Sequence, residues 1–215
     1  MKKRNLGISA IFFVAFVLWT VAVCLFDVKP VGPENSAVGF SALNAMFHSF
    51  TGEHLWLYDI SDLLSIIPLL SVAGFAFLGL WQLIKRKSLL KVDKDIIALG
   101  VYYIVVIALF LFFEVVVINY RPMLIEGVLE ASYPSSTTLL CLTVMPSVII
   151  GLKDRIKNKK FAILLNTVII LFTAFMVIAR IISGVHWITD IIGGAFLSAA
   201  LVILLYEVAS ALKKD

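Results

Sequence analysis

The 215 residues are 61% apolar and 15% charged, with a mean hydropathy of +1.04. This excludes a soluble globular chain with one large core and implies an integral membrane protein, because apolar runs near twenty residues cross about 30 Å of hydrocarbon. The net charge of +4 does not mark a nucleic-acid surface: Lys and Arg sit in short connectors rather than on an amphipathic face, and so report topology.

After Met1-Lys2-Lys3-Arg4, an apolar run from Ile8 to Phe26 lacks an Ala-x-Ala site and is expected to be an uncleaved first span. The connector from Asp27 to Asp62 places Phe40, Leu43, Met46, Phe47 and Phe50 at three- and four-residue spacings, which predicts an interfacial helix between the first and second spans. Such a helix either guides a lipid toward a site or caps the bundle. Trp56, Leu57 and Tyr58 extend an aromatic belt. His48 and His54 read as interfacial polar residues, with His54 placed to approach a site from above. Further spans are expected at Leu63 to Ile84, Ile96 to Asn119, Thr138 to Leu152, Phe161 to Ile182 and Trp187 to Ala211. The fourth is short and contains Pro146, which predicts a kink or tilt. Gly193 and Gly194 suit close helix packing. Cys24 and Cys141 lie in apolar runs, with neither disulfide nor metal-ligand spacing.

The expected fold is therefore an all-α membrane protein, a bundle of six transmembrane helices forming a single domain over 1–215. With both termini on one side, that side holds fifteen of the eighteen Lys and Arg residues, leaving Lys29, Arg121 and Arg180 on the other. The positive-inside rule makes the rich side cytoplasmic, both termini included. The plasma membrane is the default location.

Chemistry concentrates in Arg180-Ile-Ile-Ser-Gly-Val-His186-Trp-Ile-Thr-Asp190. An ionisable group in such apolar surroundings costs several kcal/mol unless paired or facing a wet cavity, so three in eleven residues read as a site. If the chain is helical from Trp187, His186 and Asp190 share a face at i and i+4, where a carboxylate can orient an imidazole. Arg180 offers a planar fork for phosphate. On the same outer face lie Asn119-Tyr120-Arg121-Pro122 and Ser132-Tyr133-Pro134-Ser135-Ser136-Thr137-Thr138. Proline followed by hydroxyl residues at a helix start leaves free N–H groups, an anion site at Ser135 and Ser136. Two arginines, a helix N-terminus and an oriented histidine make a phosphate pocket with a nucleophile, which would form a phosphohistidine.

The ordered set Arg121-Pro122, Pro134-Ser135 and Arg180-x5-His186-x3-Asp190 resembles the type 2 phosphatidic acid phosphatase superfamily, the lipid phosphate phosphatases related to vanadium haloperoxidases. The resemblance covers about residues 60–210. It implies phosphate binding by Arg121, Ser135 and Arg180, nucleophilic attack by His186, orientation by Asp190, and no metal or cofactor. The chain departs from the family pattern K-x6-R-P, P-S-G-H and S-R-x5-H-x3-D at several positions. Glu114 stands for the lysine, Ser136 for the glycine, Thr137 for the proton-donating histidine and Ala179 for the serine. If the third span is helical to Asn119, Glu114 lies about 10 Å below Arg121 on one face and is expected to pair with Arg121 or Arg180. Glu114, Thr137, Glu126 and Glu130 are the candidate substitute acids or modulators. Without the acid an alkoxide leaves poorly whereas a phosphate leaves well, so the expected substrate is a lipid phosphate or, preferably, a polyprenyl diphosphate in the bilayer. The alternatives are an impaired enzyme that binds lipid phosphates, and a lipid phosphotransferase.

Overall fold

The structure is a computed structural model and describes residues 3–212; Lys2, Lys213 and Lys214 of the sidedness expectation lie outside these residues. It is all-helical: α1 (Lys3–Leu25), α2 (Ser41–Thr51), α3 (Leu55–Leu64), α4 (Ile66–Arg86), α5 (Lys94–Val115), α6 (Ser136–Leu152), α7 (Lys159–Ile182) and α8 (Ile188–Leu212). Five stretches are long and apolar enough to cross a membrane: Arg4–Leu25, Leu55–Arg86, Lys94–Val115, Lys159–Ile182 and Ile188–Leu212. α6 is equally apolar but has 17 residues. The protein is an all-α, multi-pass membrane protein.

Composition places α6 and α8 at the centre. Small and hydroxyl residues such as Thr138, Thr143, Ser147, Gly193, Gly194 and Ser198 let these helices approach closely, and most of α6 is buried. A Cβ on Gly193 would lie 2.6 Å from the Tyr133 ring, so the glycine admits that ring against α8. α1 lies along α8, and α5 and α7 flank α6. Pro146 inside α6 leaves a carbonyl one turn earlier without its helical donor. The neighbouring Thr143 carbonyl accepts from the Tyr102 hydroxyl at 3.1 Å.

Two expected spans end elsewhere. The third stops at Val115 rather than Asn119. Its last turn runs into Val115-Val-Val-Ile118, β-branched residues that favour extended chain, and Tyr120 bridges to Ala131 in a short antiparallel pairing. Arg121 therefore sits in a loop, not on the helix. The second begins at Ile66 and is preceded directly by α3, the two meeting at Ser65. Pro68 accounts for the break, since its ring clashes with the carbonyl four residues earlier, that of Leu64.

α2 turns its apolar side outward: Met46 and Phe50 are exposed, whereas Ser41 and Asn44 are buried. Asn44 donates to the Gly39 carbonyl at 2.7 Å and to Thr189 Oγ1 at 3.0 Å, tying this helix to the start of α8. Asp27 Oδ2 accepts from the Ala42 N–H and Ser41 hydroxyl at the start of α2. Lys29, those two donors and little else set the Asp27 pKa down at about 2.

Candidate active site

The three polar stretches converge at the end of the bundle where α6 and α8 begin. Ser135 caps α6 and its N–H donates to the Asp190 carbonyl at 3.2 Å, which fixes the second stretch on the third. The fully buried Ser135 leaves its hydroxyl without a partner, and the first-turn N–H groups of α6 lack helical acceptors. Ser136 and Thr137 follow in that turn, Thr137 buried and Ser136 half-buried.

Arg180 closes α7 and is 1% exposed. Its Nη2 donates to Asp62 Oδ1 at 3.0 Å and makes a short bond to Thr137 Oγ1. Arg121 Nε lies 3.0 Å from Glu130 Oε2, an ion pair without hydrogen-bond alignment. Both guanidinium groups face the Tyr58 ring, Arg121 at 5.7 Å and Arg180 at 4.8 Å from its centroid. The expected pairing of Glu114 with an arginine is not what forms: Glu114 is exposed in the last turn of α5, in a cleft with Ser132, Pro134 and Ser136. The helix that would have aligned it with Arg121 has already ended. Glu126 is exposed in the turn between Ile125 and Val128.

His186 sits just before α8, 3.9 Å from Asp190 Oδ2 through Nδ1. That is ion-pair distance and too long for the expected hydrogen bond. The Asp190 oxygens are taken by other donors instead: Oδ2 accepts from the Trp187 backbone N–H at 3.0 Å and Oδ1 from the Asn119 side-chain amide at 3.3 Å. The Asp190 side chain thus reaches back to the residue before α8, half of a capping box. Ser132 stands beside both, its backbone toward the imidazole and its hydroxyl toward the carboxylate. Complete burial pushes the His186 pKa well below 6.5, and nearby Arg121 and Arg180 push it the same way.

The α2–α3 turn clamps this loop. Gly184 has φ +72°, and a Cβ there would meet the Gly52 carbonyl oxygen at 2.1 Å. His54 N–H donates to the Ser183 carbonyl at 2.9 Å, and His48 Nε2 lies 3.1 Å from the Gly184 carbonyl. Both histidines therefore hold the loop of His186, and His54 approaches it through its backbone. Tyr58, Asp62 and Asn119 were not singled out by sequence as site residues. Tyr58 and Asp62 stand at i and i+4 on α3, a spacing that carries information only once residues 55–64 are known to be helical.

Among the described residues, eleven buried side-chain nitrogens and oxygens lack a hydrogen-bond partner, and eight of them belong to Arg121, Ser132, Ser135, Arg180 and His186. Donors predominate, the arrangement an oxyanion satisfies. No group of three or more His, Cys, Asp or Glu residues among those described could hold a metal ion.

A family model described as the PAP2 superfamily matches residues 118–214, the segment holding all three stretches. A crystal structure of a transmembrane PAP2-type phosphatidylglycerolphosphate phosphatase from Bacillus subtilis shares the fold, with a TM-score of 0.59 over 96% of each chain and 16% identity. No curated protein matches the chain. Over residues 118–214 the chain matches the PAP2 superfamily, and over 96% of its length it shares the fold of a transmembrane PAP2-type phosphatase.

Proposed function

We propose that this protein is a lipid phosphatase, working through a phosphohistidine at His186 and favouring a polyprenyl diphosphate over a phosphomonoester. The observation that carries the reading is the cluster of eight unpartnered polar atoms around one loop. Arg121 and Arg180 supply the guanidinium N–H groups, and the α6 N-terminus at Ser135 and Ser136 supplies backbone N–H groups. In the first step the lone pair of His186 Nε2 forms a bond to phosphorus while the bond from phosphorus to the leaving oxygen breaks. Water then attacks phosphorus, the P–N bond breaks, and its electron pair returns to the imidazole. The pKa of His186 lies on the side this needs, since only the neutral ring has a free lone pair.

Thr137 occupies the position of the family's general acid and accepts from Arg180. A lipid alkoxide leaving the phosphorus would lack a proton donor there, whereas a lipid monophosphate leaves as a stable anion. Six crossings, with α6 as the shortest, would put the site on the outer side and both termini in the cytoplasm, in keeping with the charge distribution. One observation favours the impaired, lipid-binding alternative: the 3.9 Å gap between His186 and Asp190 leaves the nucleophile without a hydrogen-bonded orienter. A phosphotransferase would use the same residues and differ only in the acceptor.

The test is phosphate release by purified protein from phosphatidic acid, phosphatidylglycerol phosphate and undecaprenyl diphosphate, beside His186→Ala. Release that vanishes in the variant and is fastest from the diphosphate is expected. Binding of all three lipids with no release from any would overturn catalysis in favour of the binding protein, and transfer to a second lipid would identify a phosphotransferase.

A further inference from the structure

At the opposite end of the bundle, α7 and α8 both rest on α6 but scarcely touch each other. The gap between them is a groove of about 580 Å³, within the range of roughly 300–1,000 Å³ that ligand pockets occupy. Its wall is apolar along Ile149 and Ala162, but three uncharged polar side chains, Asn166, Tyr206 and Ser210, also line it. Lys153 stands at its edge.

These groups fall at graded depths. Asn166 is seven residues into α7, about 10 Å from the helix start, and Tyr206 lies about 9 Å before the end of α8. Lys153 follows the last residue of α6, at the level of the connector. A charged head at the rim, hydrogen-bonding groups one to two turns deeper and an apolar wall match the order of phosphate, glycerol ester and acyl chain in a phospholipid. An amide facing lipid hydrocarbon without a partner would be costly, whereas an ester carbonyl satisfies it.

The charge at the rim is available. Arg155 is committed to Asp95 at 2.5 Å, to Asp93 at 3.4 Å and to the Gly151 carbonyl, and Asp154 lies within its field. Lys153 is exposed and has no ion-pair partner among the described residues; Lys157 follows on the same connector, and Lys159 and Lys160 open α7. Basic pockets between membrane helices recognise anionic headgroups.

We propose that this groove is a binding site for one anionic phospholipid, distinct from the catalytic end. Its phosphate lies at Lys153, its glycerol esters at Asn166 and Tyr206, and an acyl chain lies along Ile149 and Ala162.

Native mass spectrometry of the detergent-purified chain, with phosphatidylglycerol against phosphatidylcholine of the same acyl chains, tests this. Wild type is expected to retain one phosphatidylglycerol at concentrations that leave phosphatidylcholine unbound. Arg180→Ala, which disables the other phosphate-binding end, should retain it equally. Lys153→Gln should weaken retention about fivefold. Ala162→Phe fills the groove without changing charge, and should abolish retention while the helical circular dichroism stays that of wild type. Equal retention of the two lipids, retention that survives both groove variants, or loss with Arg180→Ala would overturn the proposal. So would a dimer of this chain that buries the groove.

Discussion

His186 is buried beside two arginines. With its pKa held below 6.5 by burial and two arginines, the imidazole stays neutral into mildly acidic solution, the state that the proposed nucleophile needs. The acid limb of kcat/KM is therefore expected to fall below pH 6.5, read from a pH profile on a diphosphate substrate. The same depression acts on stability: below pH 6.5 the unfolded chain takes up a proton that the native site refuses, so stability falls with falling pH through this group. Thr137 makes a second prediction at this scale. Thr137→His restores the family's acid and should raise phosphomonoester turnover on the order of 10²-fold, with much less effect on a diphosphate, as initial rates on both substrates would show. Arg180, His186 and Asp190 were readable because they lie within eleven residues. Asp62, which holds Arg180 from 118 positions away, was not. Glu114 shows the reverse: apolar periodicity carries the third span on toward Arg121, but α5 stops at Val115 and the helical alignment of the two residues is lost.

At the scale of elements, the site is a loop held from above. α2 and α3 are amphipathic, and their spacing predicted a surface helix, but its role follows from its polar face. Asn44 binds Thr189, Gly52 receives Gly184, and α3 carries Tyr58 and Asp62 under the arginines. Gly184→Ala forces a side chain into a left-handed residue and against a carbonyl, and should cost about 1–3 kcal/mol, seen as a lower unfolding midpoint with reduced turnover. Asn44→Leu removes a buried amide and leaves the Thr189 groups unpaired, an expected loss of about 1–3 kcal/mol by the same measurement. Both act on the loop without touching phosphate.

For the whole molecule, connectivity separates two polar ends. One gathers Arg121, Ser135, Arg180 and His186; the other gathers Arg86, Asp93, Asp95 and Arg155, with the lysine-rich connectors. In a background lacking Cys24 and Cys141, Val128→Cys is expected to react with an impermeant thiol reagent on intact cells. Lys157→Cys should react only after permeabilisation, and the opposite pattern would reverse the orientation. Hydropathy and short polar spacings act locally, so the helical membrane class and the resemblance to one phosphatase superfamily were legible in the residues alone. So were the residue types of the three polar stretches that gather where α6 and α8 begin. Where the helices stop was decided by β-branched chain at Val115 and by Pro68, each competing with apolar periodicity. Helix packing alone decides that Asp190 accepts from the Trp187 N–H and stands 3.9 Å from His186, and that Arg180 is shared between Asp62 and Thr137. Those choices depend on which buried donor finds which acceptor, and that is settled by helices far apart in sequence meeting at one end of the bundle.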